Sequence, residues 1–512
     1  MGGPTLMTEK HYVVTLRKGY DKQEILDELN YDTTLNSNVD SNTITDRPVD
    51  TVNKRDASKR IFEVALTDEE AAMIMNDPRV GGVNEPLVWD PEWEDAVKTG
   101  SFERNSTCEN NWGLVRHIVR TNPWTNGNEN TDGGDYPYHL DGTGVDYVHQ
   151  EGDRPRHTHE QWSDGNGGSR IIEYQWGDLP NINQGEISYG SYWGDHATGC
   201  ASMSVGNTLG WATGANFYAM SISEMTFSNW FDAIKEFHKN KPIDPNTGFK
   251  RPTVVSASWG YKANFTNVTG AVFRGNSVTF DSTTHSNNRQ YGFIGDSTKR
   301  FNANLYNLNV EVEEMEDEGV IYVKSAGNQS QKLVYSGDPD YDNYITRSVG
   351  TGSISAGNPV YTNRGAGNIG PNTIVVGNIH SDVDSFNRDY PLASSDKGPR
   401  VDVWAAGTNM YTASHGSDTD YRNYSGTSFS TPNVAGIICL LLQINPGMTP
   451  AAVRNWIMTN ATKDGMTDYT SADLNGFGSD FGLMGSPNNT AYFPFAQDEN
   501  YSFSGLPDGI TL

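Results

Sequence analysis

One stretch constrains this chain more than any other. Gly426-Thr427-Ser428-Phe429-Ser430-Thr431-Pro432 runs through Asn433 into an apolar helical segment, Val434 to Leu442. A small, turn-prone Gly-Thr pair delivers a serine to the start of that helix. A helix start offers unpaired N–H groups and partial positive charge, which is how a nucleophile is held for acyl transfer. A serine cap on an ordinary helix has the same short pattern, so the assignment depends on what else the chain carries.

Several other strings stand upstream of the serine. Gly142-Thr143-Gly144-Val145-Asp146-Tyr147-Val148 leads into a strand. Asp195-His196-Ala197-Thr198-Gly199-Cys200-Ala201-Ser202 carries a histidine, and a turn and strand follow from Gly210 to Met220. Pro252 to Gly260 is a strand ending in Ser258-Trp259-Gly260. Gly319-Val320-Ile321-Tyr322-Val323 is a short β-branched run, as expected of a buried parallel strand, and it ends in Lys324-Ser325-Ala326-Gly327-Asn328. Gly398 to Gly407 reads Gly-Pro-Arg-Val-Asp-Val-Trp-Ala-Ala-Gly. In this order the strings resemble the motifs of subtilisin-like serine proteases, the subtilases. Phe429, Ser430 and Asn433 replace the family's Met, Ala and His, while Ala197, Gly199 and Ser202 alter the histidine motif and Ala406 replaces a proline. The resemblance implies an α/β fold with a largely parallel sheet flanked by helices. It implies Ser428 as nucleophile, His196 as general base, the Asn328 amide as oxyanion donor, and the Ser258-Trp259-Gly260 backbone as the wall of the pocket for the residue before the cleaved bond.

The acid departs from the family. Its usual aspartate lies six residues beyond the valine equivalent to Val145, where this chain has Glu151, followed by Gly152 and Asp153. Strand alternation puts Val145, Tyr147, His149 and Glu151 on one face and Asp146 on the other. Glu151 is the first expectation for the acid and Asp153 the second. A glutamate can hold the imidazole in one tautomer, as some unrelated hydrolases show. The expected activity is a serine endopeptidase with Glu in place of Asp. The alternative is a degenerate subtilase kept as a non-catalytic structural or binding protein, for instance in a virion.

The first ninety residues read as a separate α+β unit. Tyr12 to Leu16 and Ile61 to Leu66 are strand-like, Asp21 to Leu29 is a short helix, and Thr67-x-x-Glu70 is a capping box opening a second helix that Asp77-Pro78 stops. Val80 to Val83 makes a last strand, and Asn30 to Arg60 reads as a polar loop. The unit resembles the inhibitory propeptide of subtilases and is expected to be ferredoxin-like. The expected organisation is a propeptide-like domain over 1–88, a linker over 89–111 and a catalytic domain over 112–485. An insertion at about 261–300, too polar for a core, and a tail over 486–512 complete it. Processing is expected between Pro86 and Asn111. The insertion, with Tyr341-Asp342-Asn343-Tyr344, resembles subtilase-like proteins of tailed phages.

A net charge of −27 makes nucleic acid and anionic membrane surfaces poor partners. The expected partners are a polypeptide substrate and the chain's own N-terminal domain as inhibitor. Three cysteines, Cys108, Cys200 and Cys439, do not describe a disulfide scaffold. Cys200 is expected to be a small buried side chain, although it falls four residues after His196. No cofactor is expected, with calcium as the alternative that no specific motif supports. His157 and His159 lack a carboxylate cluster. The acidic runs Glu311 to Glu318 and Asp338 to Asp342 lack calcium-loop spacing and read as solvated charge. No stretch reads as membrane-spanning. The first residues show no basic and apolar leader, which points to a cytoplasmic, virion-associated or non-classically released protein.

Overall fold

The computed structural model describes residues 9–30, 45–84, 111–124, 140–182, 193–222, 229–281, 288–295, 299–350, 354–468 and 482–493, apart from positions 46, 57, 123, 246 and 366. The expected processing segment, Cys108 and most of the expected linker and tail lie outside the described residues.

The N-terminal unit is β1 (Lys10–Leu16), α1 (Lys22–Leu29), β2 (Thr51–Asn53), β3 (Ile61–Leu66), α2 (Asp68–Met75) and β4 (Val80–Asn84). Asp21 caps α1 by accepting from Gln23 N, and both bonds of the Thr67–Glu70 capping box form. The sheet order is β2-β3-β1-β4, with β1 antiparallel to both neighbours. This is the split β-α-β arrangement of ferredoxin-like folds. The sequence reading treated Asn30 to Arg60 as loop throughout; Thr51–Asn53 instead pairs with β3 and supplies the fourth strand. Three residues with no apolar alternation carry too little signal to be read as a strand.

The larger body begins with α3 (Trp112–Arg116) and is built on a nine-stranded sheet. Its members include β5 (Asp146–Glu151), β6 (Ile171–Ile172), β7 (Asn216–Ser221) and β8 (Thr253–Ala257), followed by strands Ile321–Ser325, Ile374–Ile379 and Val403–Ala406. From one edge the order is β6-β7-β5-β8 and then those three in sequence, all parallel. Asn489–Thr490 continues the parallel set beside Val403–Ala406, and Thr462–Lys463 closes that edge antiparallel, so the chain after 485 adds to this sheet. Strand order reverses between β5 and β8. In open α/β sheets the crevice beyond the carboxyl ends of the strands at such a switch is where ligands bind. Glu151 ends β5 and Ser258 follows β8 there.

Helix α4 (Asp195–Val205) and the helix Thr427–Ile444 lie against one another beside this sheet. By length and composition Thr427–Ile444 passes for a membrane span, contrary to the sequence reading, but 94% of it is buried inside the protein. It is a core helix, and Cys439 is wholly buried in it. On the other side are α5 (Asn229–Lys239) and the helix Tyr306–Asp317. In the sequence, Thr226 to His238 reads as an amphipathic helix with Phe227, Trp230, Phe231, Ile234 and Phe237 on a core-facing stripe; Trp230, Phe231, Ile234 and Phe237 of α5 are buried, and Phe227 lies outside the described residues.

Two sequence expectations fail here. The 261–300 segment does hold a small core: Phe265 and Phe293 are buried, and Phe265 stacks at 4.5 Å on buried Phe301 just beyond the segment. Antiparallel pairing of Val268–Phe273 with Tyr344–Arg347 satisfies its backbone, so a few aromatics suffice among many polar residues. The acidic run Glu311 to Glu318 is not uniformly solvated, since Glu311, Glu314 and Glu316 are buried. Their partners come largely from elsewhere in the chain. Arg55 places one terminal nitrogen 2.7 Å from Glu311 and its Nε 2.8 Å from Asp232 of α5, while Arg60 reaches Glu313 at 2.8 Å. Asp340, in the second run, is likewise buried between Arg274 and Lys332. The N-terminal unit thus docks on α5 and Tyr306–Asp317. Gly81 of β4 is required by this docking, because a Cβ there would fall 1.9 Å from the Tyr306 ring.

Candidate active site

The alternation of β5 sets the first part of the site. Tyr147 and His149 stack at 6.1 Å on one face, while Asp146 turns away to Lys241 at 2.5 Å. Glu151, 1% exposed, closes the series. Its Oε2 lies 3.1 Å from His196 Nδ1, and its Oε1 accepts the Ser258 N–H at 2.7 Å. Asp153 lies against Gly194 at the entry to α4, where a Cβ would fall 2.0 Å from its carboxylate.

Burial pushes the Glu151 carboxyl up, but the His196 charge and hydrogen bond, with His149 and the Ser258 N–H, hold it below the ordinary value. Burial opposes charge on His196; against it, Cys200 and Glu151 raise its pKa well above the ordinary value. The Cys200 thiol is itself pushed up by burial, so it stays protonated, and Glu151 is the charge that favours an imidazolium.

His196 sits in the first turn of α4 with its side chain 20% exposed to the cleft. The altered motif residues have packing reasons. A Cβ on Gly199 would meet Thr412 Oγ1 at 2.9 Å and the Phe429 ring at 3.1 Å, and Ser202 Oγ donates to the Gly199 carbonyl at 2.7 Å. Asp195 accepts from Ser414 Oγ and from the His415 backbone and ring, which ties α4 to the loop joining strands Met410–Ala413 and Tyr421–Tyr424.

Ser428 stands in the first turn of Thr427–Ile444, 4% exposed, with its Oγ donating to the Ser258 carbonyl at 3.1 Å. Pro432 lies four residues on and has no N–H, so the Ser428 carbonyl loses its usual helical donor. Ser258 Oγ at 2.8 Å and Cys200 Sγ at 3.2 Å donate to it instead. Asn433 is buried and saturated: its amide donates to the Ala406 and Phe429 carbonyls and accepts from Asn111 and Trp211.

Asn328 Oδ1 accepts from Thr427 N at 3.0 Å and from Thr427 Oγ1 at 3.1 Å. A backbone N–H must face an oxygen, so this pair fixes the amide with Nδ2 as the remaining donor, beside Gly426 at the head of the serine helix. A narrow pocket joins this corner to the Ser258–Gly260 segment and is lined by both, together with Lys324 and Ser428. Trp259 turns its ring away from the pocket and packs edge-on against Trp230 of α5 at 5.6 Å. The aromatic stripe of α5 therefore seats the pocket wall.

Glu151, His196, Ser428, Asn328 and Ser258–Gly260 thus converge at the carboxyl ends of the central strands. Sequence reasoning did not single out Lys324, Lys262 or Asn302, which also line the pocket. A lysine inside a β-branched strand run was the available signal. Glu151, His196 and Cys200 offer a carboxylate oxygen, a ring nitrogen and a thiol within 4.8 Å of one another, as a metal site would need. Each of the three already has a hydrogen-bond partner within the site. His157 and His159 do not pair: His157 faces Glu173 at 3.6 Å, and buried His159 hydrogen-bonds Gln161 N and the Asp420 carbonyl.

A profile described as the subtilase family matches residues 143–479. The chain belongs to the subtilase family. Alkaline extracellular protease from Yarrowia lipolytica is 37% identical over 146 residues, 27% of this chain and 29% of the relative. Subtilisin from Bacillus pumilus is 34% identical over 104 residues, 20% of this chain and 35% of the relative. This subtilase therefore matches about a third or less of those relatives' own lengths. Among solved structures, a cold adapted subtilisin-like serine proteinase aligns with 74% of this chain and 97% of its own at 20% identity, TM-score 0.42. Fervidolysin from Fervidobacterium pennivorans, a keratinolytic enzyme related to subtilisin, aligns with 95% of this chain and 61% of its own at 15% identity, TM-score 0.45.

Proposed function

We propose that this subtilase is a serine endopeptidase that cleaves polypeptides through an acyl-enzyme, with glutamate as the triad acid. The observation that carries the reading is the Glu151–His196 contact of 3.1 Å, in the same crevice as a serine at a helix start. Ser428 Oγ attacks the peptide carbonyl as His196 Nε2 takes its proton. Glu151 holds the Nδ1 proton and stabilises the imidazolium that forms. Asn328 Nδ2 and the Ser428 backbone N–H receive the oxyanion. His196 then returns the proton to the leaving amine, which breaks the C–N bond, and water repeats the cycle on the ester.

Trp259 anchors the strand of backbone on which the substrate lies, through Ser258 and Gly260. No step draws on a metal or cofactor. The N-terminal unit acts as the inhibitor, held on α5 and Tyr306–Asp317 by Arg55 and Arg60.

A fluorophosphonate probe tests this reading, because only an activated serine reacts at an appreciable rate. Wild type should label, and Ser428→Ala and His196→Ala should not. Equal labelling of wild type and Ser428→Ala removes Ser428 from the mechanism.

A further inference from the structure

Lys324 lies in the fully buried strand Ile321–Ser325 and has no solvent exposure. Its ammonium contacts the Trp259 carbonyl and lies 3.3 Å from both the Ser325 carbonyl and Ser325 Oγ. All three acceptors are neutral. Two other buried cations do have carboxylates: Arg116 pairs with Asp389 at 2.5 Å, and Lys235 with Asp232 at 2.8 Å and Glu314 at 3.0 Å, whereas buried Arg347 meets neutral oxygens of Thr266 and Asn264. Lys324 forms no such pair among the described residues.

The carboxylates nearest in charge to Lys324 are already engaged. Glu151 serves His196 and Ser258 N. Asp396 accepts from Gln329 N at 2.8 Å, Gln331 N at 2.9 Å and Asn302 Nδ2. Gly327, at φ +117°, keeps that arrangement possible, since a Cβ there would strike the Asn302 amide.

Lys324 also lines the pocket beside Ser428. Every other lining residue is polar or glycine, and a second lysine, Lys262, is among them. Such a pocket holds ammonium, amide and hydroxyl groups that can meet a polar side chain. A carboxylate entering it would give a buried ammonium the counter-ion it lacks.

We propose that this pocket selects an acidic side chain, glutamate or aspartate, in the residue preceding the cleaved bond, with Lys324 as the group that pairs with it. The inference rests on the endopeptidase reading above. Burial lowers Lys324 to about 7, against the raising effects of Glu151 and Asp396 and with the lowering effect of Lys262. The protonated form that binds a carboxylate is therefore lost as pH rises through that value, and a bound carboxylate pulls the equilibrium back.

The test uses full-length protein and chromogenic peptide anilides that differ only in the last residue: Glu, Asp, Gln, Phe or Lys. A site built to pair with a group rejects analogues lacking it, so kcat/KM for Glu or Asp should exceed that for Gln and Phe by about tenfold or more. The ratio of Glu to Gln should fall above pH 7, whereas His196 titration cancels in that ratio. Lys324→Met, with Lys324→Gln as a second variant, should abolish the preference while Ser428 still labels with the fluorophosphonate. Thermal melting verifies that the variants are folded. Cleavage after Gln or Phe as fast as after Glu, or a preference that survives in folded Lys324→Met, overturns the inference and leaves the endopeptidase reading standing. If wild type neither labels nor cleaves, the endopeptidase reading fails. The pocket is then read by binding of uncleaved peptides to Ser428→Ala, where equal affinity for the Glu and Gln peptides overturns the inference as well.

Discussion

Replacing Glu151 by Gln tests the acid at the level of single hydrogen atoms. Two groups face the Glu151 carboxylate: the Ser258 N–H at 2.7 Å, which can only donate, and His196 Nδ1 at 3.1 Å. In Glu151→Gln the amide oxygen stays with Ser258, so the NH2 is presented to His196. Nδ1 must then accept, the ring proton moves to Nε2, and Nε2 can no longer take a proton from Ser428. Turning the amide over restores the tautomer but sets NH2 against the buried Ser258 N–H. Leaving a buried donor unmet costs about 1–3 kcal/mol, roughly 5- to 150-fold. The lost negative charge adds to that, and a trypsin-type acid-to-amide change costs about ten-thousand-fold in turnover. Glu151→Gln should therefore lose between about a hundredfold and ten-thousand-fold. Glu151→Asp is about 1.5 Å shorter; it cannot keep both contacts without movement and should fall between Gln and wild type. Asp153→Asn, beside Gly194, should stay within about threefold if Glu151 is the acid, the usual range for a change outside the constellation. The assay is the second-order rate of fluorophosphonate labelling, checked by kcat/KM on a peptide, with melting curves matched. Glu151→Gln within threefold of wild type, or a larger loss in Asp153→Asn, refutes the argument.

The remaining predictions concern charge. Arg55→Met takes the buried cation from Glu311 and leaves Asp232 with Lys235 alone, and removing one partner of a buried pair costs about 3–5 kcal/mol; the N-terminal unit should melt earlier in full-length protein, and an unchanged melting curve would contradict the docking role. Burial raises Glu311 from 4.5 to about 8, with Arg55 opposing and Asp232 adding to the rise, so its contribution to stability is complete below pH 4.5 and lost as pH climbs through 8. Glu311→Gln should flatten that part of the pH–melting curve, and an unaltered slope would go against it. His196 must be neutral to act as base, and its pKa is raised above 6.5; kcat/KM should rise with pH with a midpoint above 6.5, and a midpoint at or below that value would show that Glu151 does not stabilise the imidazolium.

Much of the site was legible because its residues sit on strand ends and helix starts, where spacing translates directly into geometry. The six-residue count from Val145 that the subtilase resemblance implies pointed to Glu151, and strand alternation turned Asp146 to the other face. The capping box at Thr67 and the aromatic stripe of α5 were readable for the same reason: each depends on neighbours within four residues. What the sequence did not show depends on distant partners. The acidic run Glu311 to Glu318 looks solvated until Arg55 is brought onto it from 256 positions away. Strand Thr51–Asn53 exists only because β3 offers it an edge. Lys324 stood in plain view in a β-branched run, but its meaning depends on Trp259 and on there being no carboxylate pair for it among the described residues, neither of which is local.

The segment Ser258-Trp259-Gly260 connects these contacts. Its first N–H orients Glu151, its first hydroxyl and carbonyl meet the Ser428 carbonyl and Oγ, and its second carbonyl receives Lys324. The Trp259 ring fixes the segment from behind, against Trp230 and Phe231 of α5. The next residue of that helix is Asp232, whose carboxylate holds Arg55 of the N-terminal unit. Consecutive side chains of α5 therefore face the pocket wall and the docked domain. In the proposed triad a glutamate fits this frame because the Ser258 N–H gives its second oxygen a fixed donor. The lengthened side chain is held at two points, and its reach toward His196 follows from both.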